Sequence, residues 1–189
     1  MGDLNLNPEE ILKLEFEYAQ TTAEQAQDDR ATILNLYLLL AGGVGSIIVG
    51  LGQASGSDLP RGVYVLVFGL LALIGFFTLM KLVRLRQAWH DSVLTMNRIK
   101  DFYVEKFPDL ANALRWRTTT IPPPGKWWTI TFNLALLVAI IDSTALAVAM
   151  HFTGVRLPFH DYAAPTFAAL VFFLWQVWFY FFQLPTNEK

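Results

Sequence analysis

The sequence predicts an all-α integral membrane protein: four spanning helices, with long helices extending into a cytoplasmic helical stalk. Two observations carry that prediction, the length of the apolar runs and the uneven placement of Lys and Arg. At 1.5 Å of rise per residue, a helix needs about 20 apolar residues to cross a ~30 Å hydrocarbon core. Residues 31–52, 62–83, 129–152 and 163–182 each reach that length with few polar interruptions. A soluble domain of 189 residues would divide its apolar residues among shorter segments with polar faces.

Lys and Arg set the orientation, because cytoplasmic loops carry them in excess. Twelve of the 14 lie before span one, between spans two and three, or at the C-terminus. The other two loops hold one each, Arg61 and Arg156. Both termini and the middle segment are therefore expected in the cytoplasm, with the spans in a bacterial inner membrane. Trp127 and Trp128 fall where span three begins, as interfacial aromatics do, and "WQVWFYFFQ" closes span four in the same way. The acidic "MGDLNLNPEE" lacks the basic and apolar regions of a secretory signal, and Leu6 stands where a myristoylation motif needs Ser or Thr. Without cysteine, the chain has no disulfide, thiolate metal site or cysteine nucleophile.

Three parts follow: residues 1–107, with the N-terminal helix, spans one and two and their extension; a Pro-rich linker, 108–126; and spans three and four with a short tail, 127–189. Asn7 is placed as an N-cap, Pro8 at the first helical position and Glu10 at the capping-box position. The absence of Pro and Gly from there to Gly42 predicts one helix over 8–52. Leu12, Phe16, Ala19, Ala23 and Ala26 recur on one of its faces. The second helix is expected to run from Val63 toward Pro108, with Leu82, Leu85, Trp89, Val93, Met96, Tyr103 and Phe107 as its stripe. A short outer loop makes the two antiparallel. The Ala seam then receives Trp89 and Met96, and Leu12 and Phe16 meet Tyr103 and Phe107.

Charge favours the same pairing. Before span one, eight acids face two bases; from 81 to 126, nine bases face four acids. Asp28 and Asp29 are expected near Arg84 and Arg86, within one chain or between two. Each exposed pair contributes about 0–1 kcal/mol, so such pairs serve register and partner choice. The basic segment also suits anionic headgroups. Its interleaved acids and lack of a recognised fold argue against nucleic acid. "TTTIPPPGK" reads as an extended linker.

Inside the spans, Gly42, Ser46 and Gly50 form a small-residue ridge for close helix packing, within one subunit or between subunits. Asn35, Asn133 and Gln176 fall in the cytoplasmic third, where Asn133 and Gln176 are within reach of each other across spans three and four. Asp142 lies about 21 Å beyond Trp128, past the midplane, with no basic residue in a neighbouring span. Intramembrane acids are candidates for ion paths, proton relays and ligand sites. Three readings stay open: a neutral acid packed in the bundle, an acid facing a water-filled cavity or intersubunit pore, and a proton-coupled role. Enzyme chemistry finds no nucleophile–base pair, phosphate loop or paired acids, and no cofactor is expected. His90, His151 and His160 read as surface residues, and His151, His160 and Asp161 lack a specific metal-ligand spacing.

The order of "EFEYAQTTAEQAQDDR", two close spans and "RLRQAWHDSVLTMNRIKDFY" resembles the SLATT-type modules, bacterial membrane proteins of nucleotide-signalled conflict systems. The resemblance covers residues 9–107; spans three and four lie outside it. It implies a membrane-perturbing or pore-forming effector. The expected function is accordingly a homo-oligomeric channel-like effector gated through its cytoplasmic helices. The alternative is a non-conducting structural or regulatory subunit that anchors a cytoplasmic protein partner.

Overall fold

The computed structural model describes residues 7–55, 59–155 and 162–184. Among them the regular structure is entirely helical: α1 (Pro8–Ser55), α2 (Arg61–Lys106), two short 3-10 turns (Pro108–Asn112 and Thr118–Thr120), α3 (Ile130–Thr153) and α4 (Ala163–Gln183). All four α-helices are long and apolar enough to cross a membrane.

Local chemistry sets the helix ends. Asn7 Oδ1 accepts the Glu9 amide at 3.1 Å, which satisfies one orphan donor of α1. Pro60 precedes α2, and the helix stops at Lys106, ahead of Pro108. Thr129 caps α3 by accepting the Phe132 amide at 3.2 Å. Gly154 ends α3 at φ 77°, a left-handed conformation that a side chain would strain.

Helix α2 is the organising element, in contact with α1, α3 and α4. Against α1 it runs antiparallel: Lys100 lies over the Phe16 ring at 5.9 Å, while Gly75 lies beside the Tyr37 hydroxyl. Against α3 it is antiparallel too, with Tyr64 stacked on Phe152 at 4.1 Å. Against α4 it is parallel: Phe76 meets Trp175 at 4.9 Å, and Gln87 donates to the Gln183 carbonyl at 2.8 Å. The core of Leu34, Leu71, Leu79, Leu82, Val83, Phe132, Val138 and Leu184 sits where these helices converge. Large apolar side chains also cover the outside of all four helices, among them Leu39, Leu66, Ile140 and Leu174. That outward apolar surface is far more than a soluble monomer exposes.

The extended ends of α1 and α2 pair within one chain. Ala19, Ala23 and Ala26 are buried there, as their spacing predicts. Phe107 is exposed and does not join Phe16, because α2 ends one residue before it. The expectation that all three histidines are surface residues also needs correction. His90 is buried, on the helix face that carries buried Arg86 and Asn97. These positions follow one another at helical spacing, so the α2 extension turns a partly polar face inward.

Residues 108–126 form a folded strap. The Arg117 guanidinium donates to Asp101 Oδ1 at 2.6 Å, and the Thr118 amide donates to Oδ2 at 3.2 Å. Thr118 first, and Arg117 next, hold the Asp101 carboxyl below the usual carboxylate range. The strap then brings Pro124 and Gly125 to buried positions before Trp128 turns the chain into α3 at φ 61°.

Candidate functional site

Asp142 is the centre of the site. It lies twelve residues from the first residue of α3 and eleven from the last, at the middle of the helix. Its carboxyl is completely buried, with 0% exposure, as is Gln176 of α4. Gln176 Nε2 donates to Asp142 Oδ1 at 3.0 Å and approaches Ser143 Oγ at 3.4 Å. Antiparallel packing of α3 and α4 brings these residues level.

The third wall comes from α2 and the fourth from α1. A Cβ placed on Gly75 would lie 2.5 Å from Asp142 Cβ, 2.7 Å from the Tyr37 hydroxyl and 2.8 Å from Asp142 Oδ2. Only glycine fits there. Its missing side chain lets Tyr37 of α1 and Asp142 of α3 approach each other across α2. Tyr37 is thus a site residue that sequence reasoning missed. The available signal was a hydroxyl-bearing ring inside an apolar run, since a buried Tyr hydroxyl normally needs a polar neighbour.

No basic residue enters the cluster. Asp142 Oδ2, the Tyr37 hydroxyl and Gln176 Oε1 make no hydrogen bond among the described residues, and neither does the Tyr180 hydroxyl. Beside Gln176 and Tyr180 is a cavity of about 10 Å³, also lined by Leu79, Phe132 and Ala139. That volume suits about one water molecule. Chemically, the cluster can hold a hydrogen-bonded carboxyl or exchange a proton at Oδ2. It has too few oxygen donors in view for a cation cage.

Asn133, the partner expected for Gln176, is exposed. Nine residues separate it from Asp142, about 180° around a helix with 3.6 residues per turn, so it faces the other way. Asn35 is exposed on α1.

The ridge of Gly42, Ser46 and Gly50 is likewise on the outside. Nothing lies within 4 Å of a Cβ built on Gly42 or Gly50, and Ser46 Oγ bonds only to the Gly42 carbonyl, at 2.9 Å. Tight packing of this ridge within one subunit is therefore not what forms. The glycine that performs close packing is Gly75, on the neighbouring helix.

The pairing of Asp28 and Asp29 with Arg84 and Arg86 does not form within the chain. Ion pairs among the described residues join Lys13 to Glu17 and Arg117 to Asp101, and His90 Nδ1 lies 3.9 Å from Asp91 Oδ1. Arg84 points outward, whereas Arg86 is buried and donates through Nε to the Pro124 carbonyl at 3.3 Å. The strap occupies the position that an acid was expected to fill.

His151 stacks on Tyr162 at 5.4 Å; His160 and Asp161 lie outside the described residues. Among the described residues, no three His, Asp or Glu side chains converge as metal ligands. No family model, curated protein or solved structure matches this chain.

Proposed function

We propose that this chain is a multi-pass membrane protein that associates with copies of itself through α1 and acts as a channel-like or membrane-perturbing effector. Any conducting path then lies between subunits. The observation that carries this reading is the uncovered face of α1, where Asn35, Gly42 and Ser46 fall within about 40° of one another and all are exposed. A polar amide with small residues above it is the composition of helix–helix contacts in membranes. Asp142 is sealed inside its own subunit and belongs to the packing of the bundle. Gating falls to the paired ends of α1 and α2, which are continuous helices with the spans they would move. Both termini and the strap lie in the cytoplasm on this reading, by the Lys and Arg distribution.

Ion flux from liposomes containing the purified protein is the test. Flux that is retained in Asp142→Asn supports a path between subunits. Flux abolished by that change, with the fold intact, moves the path to the bundle interior. Absence of flux under every condition supports a second reading, a non-conducting subunit that anchors a cytoplasmic partner. That reading is favoured by an apolar groove of about 340 Å³ between α2 and the strap, lined by Trp89, Val93, Met96, Trp116 and Ile121.

A further inference from the structure

Two arginines share one cavity without a counter-charge. Arg30 of α1 and Arg86 of α2 line a space of about 260 Å³ with Gln27, Trp89, Thr129 and Thr131. Arg30 Nη1 donates to Thr131 Oγ1 at 2.9 Å, and Arg86 lies 4.6 Å from the centre of the Trp89 ring. Neither arginine forms an ion pair with a described acid, although Asp28 and Asp29 adjoin Arg30 in the chain. Arg86 is 8% exposed, and its one hydrogen bond uses Nε, so both terminal nitrogens lack an acceptor among the described residues. A buried guanidinium without an anion is costly, and the half-buried Arg30 facing the same space adds to that cost.

The surroundings add positive potential. The cavity includes the N-terminus of α3, where the Ile130 and Thr131 amides are left without an intrahelical acceptor while Thr129 takes the Phe132 amide, and where the helix dipole end is positive. Burial, and then the charge of Arg30, lower the Arg86 pKa, while Tyr180 opposes them. The cavity lies at the start of α3, beside Trp128 in the chain, which is 82% exposed as an interfacial aromatic would be.

The geometry points to a binding site for a phosphate anion, supplied by the headgroup of an inner-leaflet anionic phospholipid, held between Arg30 and Arg86 with Thr131 and the α3 amides as further donors. Arg forks match phosphate oxygens in paired hydrogen bonds. Trp89 and the apolar flank of Ile130 then border the glycerol and the start of the acyl chains. The lipid would join α1, α2 and α3 at the point where the spans pass into the extended ends, and so would couple the bilayer to the proposed gate. The inference rests on the membrane-spanning reading and goes beyond it in naming a ligand.

The test is native mass spectrometry of the full-length protein released from nanodiscs of mixed phosphatidylglycerol and phosphatidylcholine. The wild-type chain is expected to keep one phosphatidylglycerol per chain, and R30Q/R86Q to keep at least tenfold less. R84Q, which removes an exposed arginine outside the cavity, is expected to match the wild type. Unselective retention of both lipids, or equal retention by R30Q/R86Q, overturns the site. Displacement of the lipid by inorganic phosphate at equal concentration overturns the headgroup as the source. If R30Q/R86Q loses its helical circular dichroism, T131V and R30Q are read instead; each is expected to lower retention several-fold, and no change in either overturns the site. Alkaline extraction of membranes is run alongside. A chain that washes off contradicts the membrane reading, whereas one that stays embedded without selective lipid contradicts only the site.

Discussion

Helices α1 and α3 have equal mean hydropathy over their most apolar windows, yet 44% of that window is buried in α3 and 11% in α1. Hydropathy reports that a helix avoids water; it does not report whether the helix avoids it by packing against its own chain. The difference lies in the neighbours, since α3 packs against both α2 and α4 whereas α1 packs chiefly against α2, and Gly75 sits where these helices meet. Its bare backbone admits Asp142 and Tyr37 to the same space, so α3 is held by side chains at the level of its midpoint. Gly42, Gly43, Gly45 and Gly50 of α1 have nothing within 4 Å of an added Cβ and hold nothing within the chain. Small residues thus stand in opposite settings on two neighbouring helices, one packed inside the chain and the others uncovered.

The sharpest way to break that contrast is Gly75→Leu. A side chain there collides with Asp142 and Tyr37, and overpacking of this kind costs about 3 kcal/mol or more. The expected result is loss of folded protein in a thermal melt. Gly69→Leu, elsewhere on α2 where nothing lies within 4 Å of an added Cβ, is expected to melt with the wild type. Equal melting of the two variants would remove Gly75 from its organising role.

Gln176→Leu is expected to act next most strongly. It removes the one donor that reaches Asp142 Oδ1 from another helix among the described residues, and a buried acceptor left unmade costs about 1–3 kcal/mol. Chemical denaturation should show the loss, with Asn133→Leu, on the far side of α3, close to neutral.

The smallest effect belongs to the strap. Because the Asp101 carboxyl is held below its ordinary value, its contribution is present above the unfolded-state value near about 4 and is lost as pH falls through the folded-state value. The pair keeps about a quarter to a third of its side-chain surface in solvent, so Asp101→Asn should change stability by only about 1 kcal/mol. Limited proteolysis between residues 108 and 126 is expected to accelerate in that variant and in wild type below pH 4 alike. Unchanged cleavage would show the strap to be held by Pro124 and Arg86 instead.

Much of this architecture was legible in the sequence. Four apolar runs and two uninterrupted helices follow from composition and from the positions of Pro and Gly, both local properties. The buried Ala19, Ala23 and Ala26 follow from helical spacing. What could not be read is the rotation and level of one helix against another. Gln176 was aligned with Asn133 by depth, yet Asn133 turns to the opposite face and Asp142 takes its place. Arg86 was assigned to an acid by charge, yet the strap carries Pro124 to it first. Both errors arise from treating depth or charge as enough, when facing direction and a returning loop decide contact. Asp142 itself was conspicuous from the start as a lone acid without a base. Its partners were not, because Tyr37 and Gly75 acquire meaning only when three helices meet.

The most direct measurement of the central claim uses the absence of native cysteine. Ser46→Cys introduces the only thiol in the chain, on the α1 face proposed to meet another copy. Oxidation in native membranes is predicted to give a disulfide-linked dimer in high yield, while Leu66→Cys, on an exposed face of α2, gives little. Ser46→Cys that stays monomeric on oxidation while remaining fully open to a lipid-soluble thiol reagent would contradict assembly through α1.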